Sequence, residues 1–181
     1  LILDDIVYPV VTGMNDEGHP YSGFLYVGLM LTASGPKVVE FNVRFGDPEA
    51  QVLFPMLSED LSPLLVSAAT GHLPSRSAHI NQEPHVGVVL AAGGYPGVYE
   101  RDIPIEGLDK ASAVPGAFLF HAGTGTKDGR IVTTGGRILT VVGRGLTYRD
   151  AIDVAYSATD LVHFKGMHYR RDIGFKALTN Y

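Results

Sequence analysis

The stretch EFNVRFGDPE, Glu40 to Glu49, decides how the rest of the chain is read. In an extended strand successive side chains alternate between two faces. Glu40, Asn42 and Arg44 then share one face, while Phe41, Val43 and Phe45 share the other, which is apolar and is expected to pack. The polar face offers a carboxylate and an amide oxygen two residues apart, followed by a guanidinium. Magnesium takes hard oxygen ligands and keeps positions open for phosphate oxygens, so Glu40 and Asn42 are candidate metal ligands. Arg44 is a candidate for a forked contact to a phosphate or a carboxylate. Alternation by itself equally describes a half-exposed strand whose polar residues face water, and spacing alone does not choose the metal site. Asp47-Pro48 stops the strand and predicts a helix from Pro48 with Asp47 as its N-cap. Asp47 keeps two readings, cap or ligand of a substrate hydroxyl or amine. Glu49 is either a site residue or a favourable charge in the first helical turn.

Upstream, SGFLYVGLMLT (Ser22 to Thr32) is rich in aromatic and branched residues and predicts an antiparallel partner strand, joined through a turn over Ala33 to Pro36. Downstream, Pro55 is expected to end or kink the helix that starts at Pro48, and Asp60 to Ala69 predicts a second helix closed by Gly71. GHLPSRSAHINQEP, Gly71 to Pro84, is polar and holds two prolines, as a linker does. Beyond it HVGVVLAA, GAFLFHA, RIVTT and GRILTVVG read as short strands between Gly-rich turns. An amphipathic helix is expected from about Thr147 to Phe164, with Ala151, Ile152, Ala155, Ala158, Leu161 and Val162 near helical spacing. The fold class is therefore α+β. Two domains are expected, residues 1–75 with the candidate metal strand, and residues 76–181, mainly antiparallel β with one long helix.

The 181 residues are 45% hydrophobic and contain no cysteine, which removes disulfides, thiolate metal sites and cysteine nucleophiles. A net charge of -5 supplies no general basic field for nucleic acid, so any anion must be held locally. Apolar runs such as Val86 to Ala92 are far short of the roughly 20 residues a membrane helix needs. Leu1 to Tyr8 has neither an initiator Met nor a basic region, so no signal peptide is read there and the chain is expected to begin inside a longer protein. None of the seven histidines forms a recognised zinc pattern. His163 and His168 are five residues apart, and His121 stands beside a Gly-rich turn that it could anchor. The turns at Gly93 to Gly97, Gly123 to Gly129 and Gly135-Gly136 could cradle phosphate through backbone N–H groups. They lack a complete G-x-G-x-x-G, no Gly-Lys-Ser/Thr is present, and tight hairpin turns are the default expectation. Tyr95 and Pro96 could stiffen the first turn, and Arg137 is a phosphate contact or a surface charge.

The E-x-N-x-R pattern at Glu40, Asn42 and Arg44 resembles the metal strand of ATP-grasp enzymes. RFGDPEAQ (Arg44 to Gln51) is similar to the signature of glycinamide ribonucleotide synthetases, the phosphoribosylamine–glycine ligases. Gly13-Met14, YSGFLYVGLM, GPKVVEFN, GGYPG (Gly93 to Gly97), FHAGT (Phe120 to Thr124), GGRIL (Gly135 to Leu139) and RRDIGFKAL (Arg170 to Leu178) extend the likeness, in order, over nearly the whole chain. The resemblance implies the C-terminal portion of an ATP-grasp domain followed by an accessory α+β domain. It implies a cytoplasmic enzyme of purine synthesis that joins 5-phosphoribosylamine to glycine with ATP, through a glycyl phosphate, releasing ADP and phosphate. Glu40 and Asn42 would then bind Mg2+ or Mn2+ and through it the nucleotide, Arg44 would act on the transferred phosphoryl group or hold the glycine carboxylate, and Asp47 would touch substrate. A complete member also has an amino-terminal substrate domain and a nucleotide-closing lid, which do not fit before Leu1, so the isolated chain is expected to be inactive. Neither nucleic acid nor membrane is an expected partner. Another ATP-grasp enzyme, such as a biotin-dependent carboxylase component, and a non-catalytic structural or binding fragment are the competing readings.

Overall fold

The fold is given by a computed structural model, which describes residues 1–74 and 76–179. The chain divides into two units: Leu1–Asp47 with Leu57–His79, and Pro48–Met56 with the chain from Ile80 onward.

The first unit opens with a helical stretch that is π-type over Leu3–Val7 and continues as α1, Tyr8–Asp16, where Pro9 sits in the first turn and leaves no amide unpaired there. This helix was not anticipated. Strands β1 (Tyr26–Thr32) and β2 (Gly35–Asn42) form an antiparallel hairpin whose two-residue turn is Ala33-Ser34. Gly35, expected inside the turn, already pairs with Thr32, and Thr32 Oγ1 donates to its carbonyl at 2.8 Å. β2 ends at Asn42, three residues earlier than its pattern suggested, so Arg44 lies beyond the strand. The apolar face is only partly packed: Phe45 meets Phe24 at a ring-centroid distance of 4.3 Å, but Phe41 is 45% and Val43 71% exposed. Two strands by themselves have too little surface to bury such a face. Helix α3 (Leu61–Thr70) carries both signals read for it. The Asp60 carboxylate accepts from the Ser62 amide at 2.8 Å, and Gly71 closes the helix in the left-handed region with φ 74°. Its leucines line an apolar cavity of about 250 Å³ with Phe24, Phe45 and Leu73.

The second unit is built on the sheet β3-β7-β4, with β3 at His85–Ala91, β4 at Ala117–His121 and β7 at Arg137–Arg144 in the middle. All pairings are antiparallel. A separate hairpin joins β5 (Thr124–Lys127) to β6 (Arg130–Thr133). Gly123 to Gly129, expected to be a turn, is thus mostly strand. The turn itself is Asp128-Gly129, with φ 49° and 72°, the positive pair that a two-residue hairpin connection requires.

Helix α5 (Tyr148–Thr159) lies on one face of the central sheet. It starts at a capping box in which Thr147 and Asp150 satisfy each other's backbone amides. Ala151, Ile152, Ala155 and Ala158 are fully or almost fully buried under it. The helix stops five residues short of the expected Phe164. Two tight bonds, Leu161 N to Ala158 O and Val162 N to Thr159 O, end it, and His163 then bridges Glu106. Leu161 consequently points outward at 41% exposure, whereas Val162 and Phe164 still enter the core from an extended segment. A five-residue helix, α4 (Leu108–Ser112), adds Ala111 to the same core.

The opposite sheet face receives α2, Glu49–Leu53, which runs into a 3-10 turn over Phe54–Met56 at Pro55. The helix begins one residue later than read. Pro48, which has no side-chain donor or acceptor, is the N-cap, and Asp47 precedes it.

Candidate functional site

The candidate metal strand owes its presentation to a bulge. Leu29 pairs with Val38 and Gly28 with Glu40, so Val39 is an extra residue on β2. A bulge re-aims the residues that follow it. Beyond it Glu40 lies opposite Gly28 and Asn42 opposite Tyr26. A Cβ at Gly28 would come to 3.0 Å from the Cγ of Glu40, so the glycine leaves the carboxylate stem the space it occupies. Gly28 is therefore a neighbour of the candidate ligand Glu40, and its signal was present in the sequence only as a glycine inside an otherwise bulky strand.

Glu40 is exposed and Asn42 half-buried, two residues apart in β2. As a donor set these are two hard oxygens, which fits a magnesium- or manganese-sized cation that completes its shell with phosphate and water. Among the described residues no group of three or more His, Asp or Glu side chains is placed to hold a metal, so an all-protein cage is not the geometry on offer. Arg44 is exposed on the bend that follows β2 and donates from Nη1 to the Phe45 carbonyl at 2.8 Å. Gly46 is buried and Asp47 exposed, at the junction into α2. Glu40, Asn42, Arg44 and Asp47 all belong to the first unit, whereas Glu49, exposed in the first turn of α2, belongs to the second.

The Gly-rich turns have a packing explanation. The amides of Gly97, Gly123 and Gly135 are donated to the carbonyls of Gly94, Arg137 and Gly123. A Cβ at Gly136 would sit 2.1 Å from the Tyr95 ring, and one at Gly123 2.7 Å from Gly135 Cα. These glycines allow two backbones and a tyrosine ring to approach at the end of the sheet, and the amides of Gly97, Gly123 and Gly135 are already donated. His121 Nδ1 lies 3.0 Å from Thr124 Oγ1, which anchors the turn between β4 and β5. His163 and His168 serve through their backbones, bridging Glu106 and Ala91.

A carboxylate that sequence reading passed over is Glu59. Its two oxygens receive Arg76 Nη1 and Nη2 at 2.9 and 2.6 Å, and one also receives the His79 amide at 2.6 Å. The Arg76 guanidinium, followed by the His79 amide, lowers the Glu59 pKa to about 2. This clasp ties Arg76 and His79 back to Glu59 within the first unit. The partners are 17 and 20 residues away, so no local pattern announces it.

Residues 85–176 match the family model described as phosphoribosylglycinamide synthetase, C domain, and residues 1–50 match the ATP-grasp (A) domain of the same synthetase. A phosphoribosylamine–glycine ligase of Pseudomonas aeruginosa is 47% identical over 98% of this chain, which spans 41% of that relative's length. The crystal structure of a phosphoribosylamine–glycine ligase from Thermotoga maritima superimposes with a TM-score of 0.76 at 38% identity, covering 89% of this chain and 39% of that one. A biotin carboxylase domain of Hydrogenobacter thermophilus shares the fold, with a TM-score of 0.58 at 18% identity over 93% of this chain and 38% of the other.

Proposed function

We propose, from the premise that this chain belongs to the phosphoribosylglycinamide synthetase family, that it is the C-terminal part of a ligase joining 5-phosphoribosylamine and glycine at the expense of ATP. A glycine carboxylate does not acylate an amine unaided. Its oxygen attacks the γ-phosphorus of ATP and ADP leaves. The amine nitrogen of phosphoribosylamine then attacks the carbonyl carbon of glycyl phosphate, phosphate departs, and the nitrogen loses a proton to give glycinamide ribonucleotide.

Glu40 and Asn42 would hold the Mg2+ or Mn2+ that accompanies the nucleotide; when bound, the ion neutralises phosphate charge and aligns the transferred group. Arg44 is assigned to the glycine carboxylate or the transferring phosphoryl group, both of which accept its fork. Asp47 is assigned to a substrate amine or hydroxyl. We further assign residues 1–75 to the ATP-grasp domain and 76–181 to the accessory domain, in a cytoplasmic enzyme whose remaining parts supply the adenine pocket. Among the described residues no helix is long and apolar enough to cross a membrane.

The observation that carries this reading is the continuous match to named ligases over 98% of the chain. A biotin-dependent carboxylase component is not favoured, because that likeness, at 18% identity, extends to the fold alone. In the full-length polypeptide, Glu40→Gln and Asn42→Ala are expected to lower glycinamide ribonucleotide formation by at least about a hundredfold while leaving the thermal transition in place. Normal turnover of both variants at saturating ATP and magnesium would remove these residues from the site. No product from the unmodified polypeptide would remove the ligase reading and favour a binding or structural fragment.

A further inference from the structure

A glycine inside a strand loses more freedom on folding than any other residue and brings no side chain to the sheet, so its place there has a specific cause. Gly28 is the third of the seven residues of β1. Its φ lies outside the left-handed region, so the backbone does not demand a glycine. Space does. A Cβ at this position would meet Glu40 Cγ at 3.0 Å and Tyr26 Cε1 at 3.4 Å. The room a side chain would fill is taken from across the hairpin by the Glu40 stem, and from along β1 by the Tyr26 ring.

The Glu40 contact is the tighter of the two, below the roughly 3.5–4.0 Å at which carbons pack, so a methyl at position 28 displaces the stem. For the fold that displacement is cheap, because Glu40 is exposed and can turn about its own torsions. For the carboxylate it is not. Among the described residues no hydrogen bond or ion pair holds that group in place. Its position relative to Asn42, which lies two residues on and opposite Tyr26, is then set by where the stem rests on Gly28.

We propose that Gly28 is a positioning residue for the divalent-cation site: its missing side chain lets the Glu40 stem lie against β1 and so sets where the carboxylate stands relative to Asn42. This rests on the assignment of Glu40 and Asn42 to the cation. Gly28 itself touches neither ion nor reacting atom.

The test is calorimetric titration of ADP, at saturating Mn2+, into the full-length polypeptide and its variants Gly28→Ala, Gly28→Val, Glu40→Ala and Gly28→Val/Glu40→Ala. The thermal midpoint of each is measured beside it. Partners that orient a metal ligand typically contribute about 10–100-fold to affinity. Glu40→Ala is expected to weaken ADP binding by at least about tenfold, Gly28→Val by about tenfold and Gly28→Ala by about threefold. The double variant is expected to bind within about twofold of Glu40→Ala alone, because a displaced stem costs nothing once the carboxylate is gone. Both single Gly28 variants are expected to keep or raise the thermal midpoint, since each supplies the side chain that the strand lacks. Gly28→Val binding like the wild type, with Glu40→Ala weakened, would overturn the proposal and leave the cation assignment standing. Losses that multiply in the double variant, or that come with a lowered midpoint, would also overturn it, because a strand disturbed in general does not act through Glu40. Wild-type binding in Glu40→Ala would remove the cation assignment itself, and the positioning role with it.

Discussion

Arg44 stands on the bend after β2 with Nη1 donating to the Phe45 carbonyl at 2.8 Å, and its fork is proposed to take a carboxylate or a phosphoryl group. A lysine keeps the charge but cannot offer two parallel donors, so Arg44→Lys in the full-length polypeptide is expected to lower kcat/KM for glycine by about tenfold or more. Unchanged kinetics would reduce the role of Arg44 to general charge. Glu59 is the other residue whose surroundings dictate an outcome. Its carboxyl is depressed in the folded chain from an ordinary 4.5 to about 2, so the clasp contributes fully above the ordinary value and is lost as the pH falls toward about 2. The pH window of release is therefore roughly 4.5 down to 2, with no change expected between pH 6 and 8. At neutral pH, Glu59→Gln should imitate the acid form. It is expected to speed tryptic cleavage after Arg76 severalfold, since exposed cleavage follows local opening. Equal cleavage rates in the two proteins would mean that other contacts hold the segment. The Glu40 and Asn42 pair is a proposal that alternation joined to family likeness makes, whereas the Glu59 clasp and the Gly28 contact have no local pattern, because each depends on a partner far along the chain or across a strand.

Elements whose ends are written in neighbouring residues were readable. Asp60 and Gly71 bracket α3 as expected, and Thr147 begins α5 through a reciprocal bond to Asp150. What escaped was set by packing. β7 lies between β3 and β4 although β5 and β6 intervene in sequence, and α5 ends at Thr159 because the chain turns there to lay His163 beside Glu106. The stretch from Gly123 contains three glycines within seven residues and suggested a turn, yet pairing with Arg130–Thr133 makes four of those residues a strand. The α5 contact yields two measurable expectations. Thr147→Ala removes half the capping box and should cost about 1 kcal/mol in urea unfolding. Gly143→Ala should cost more, about 1–3 kcal/mol, because its Cβ would fall 2.3 Å from both Ala151 O and Ala155 N, backbone atoms of α5 that cannot rotate away. A smaller loss for Gly143→Ala than for Thr147→Ala would show that the helix slides on the sheet.

At the scale of the whole molecule, the chain spans 41% of the length of the Pseudomonas aeruginosa relative, and this proportion bears on what it can do alone. The second unit encloses a continuous core of fifteen buried apolar residues from Val86 to Phe164, enough to hold a fold. The first unit has among its described residues none below the burial of a true core except Gly46, and it leaves Met30, Leu31, Val39 and Val43 more than half exposed. Its candidate metal pair supplies two oxygens, whereas binding a nucleotide must overcome a loss of translational and rotational freedom of at least about 4 kcal/mol before any affinity appears. The isolated 181-residue chain is therefore expected to fold in its second unit, to bind ATP no more tightly than about millimolar, where the binding free energy is near 4 kcal/mol, and to form no glycinamide ribonucleotide. The measurement is to incubate the purified chain with ATP, magnesium, glycine and freshly made phosphoribosylamine, and to follow ADP and product beside calorimetric titration of the nucleotide. Product that disappears with Glu40→Gln, formed with no other polypeptide present, would mean that these two units already contain the groups that grip adenine and cover the phosphates.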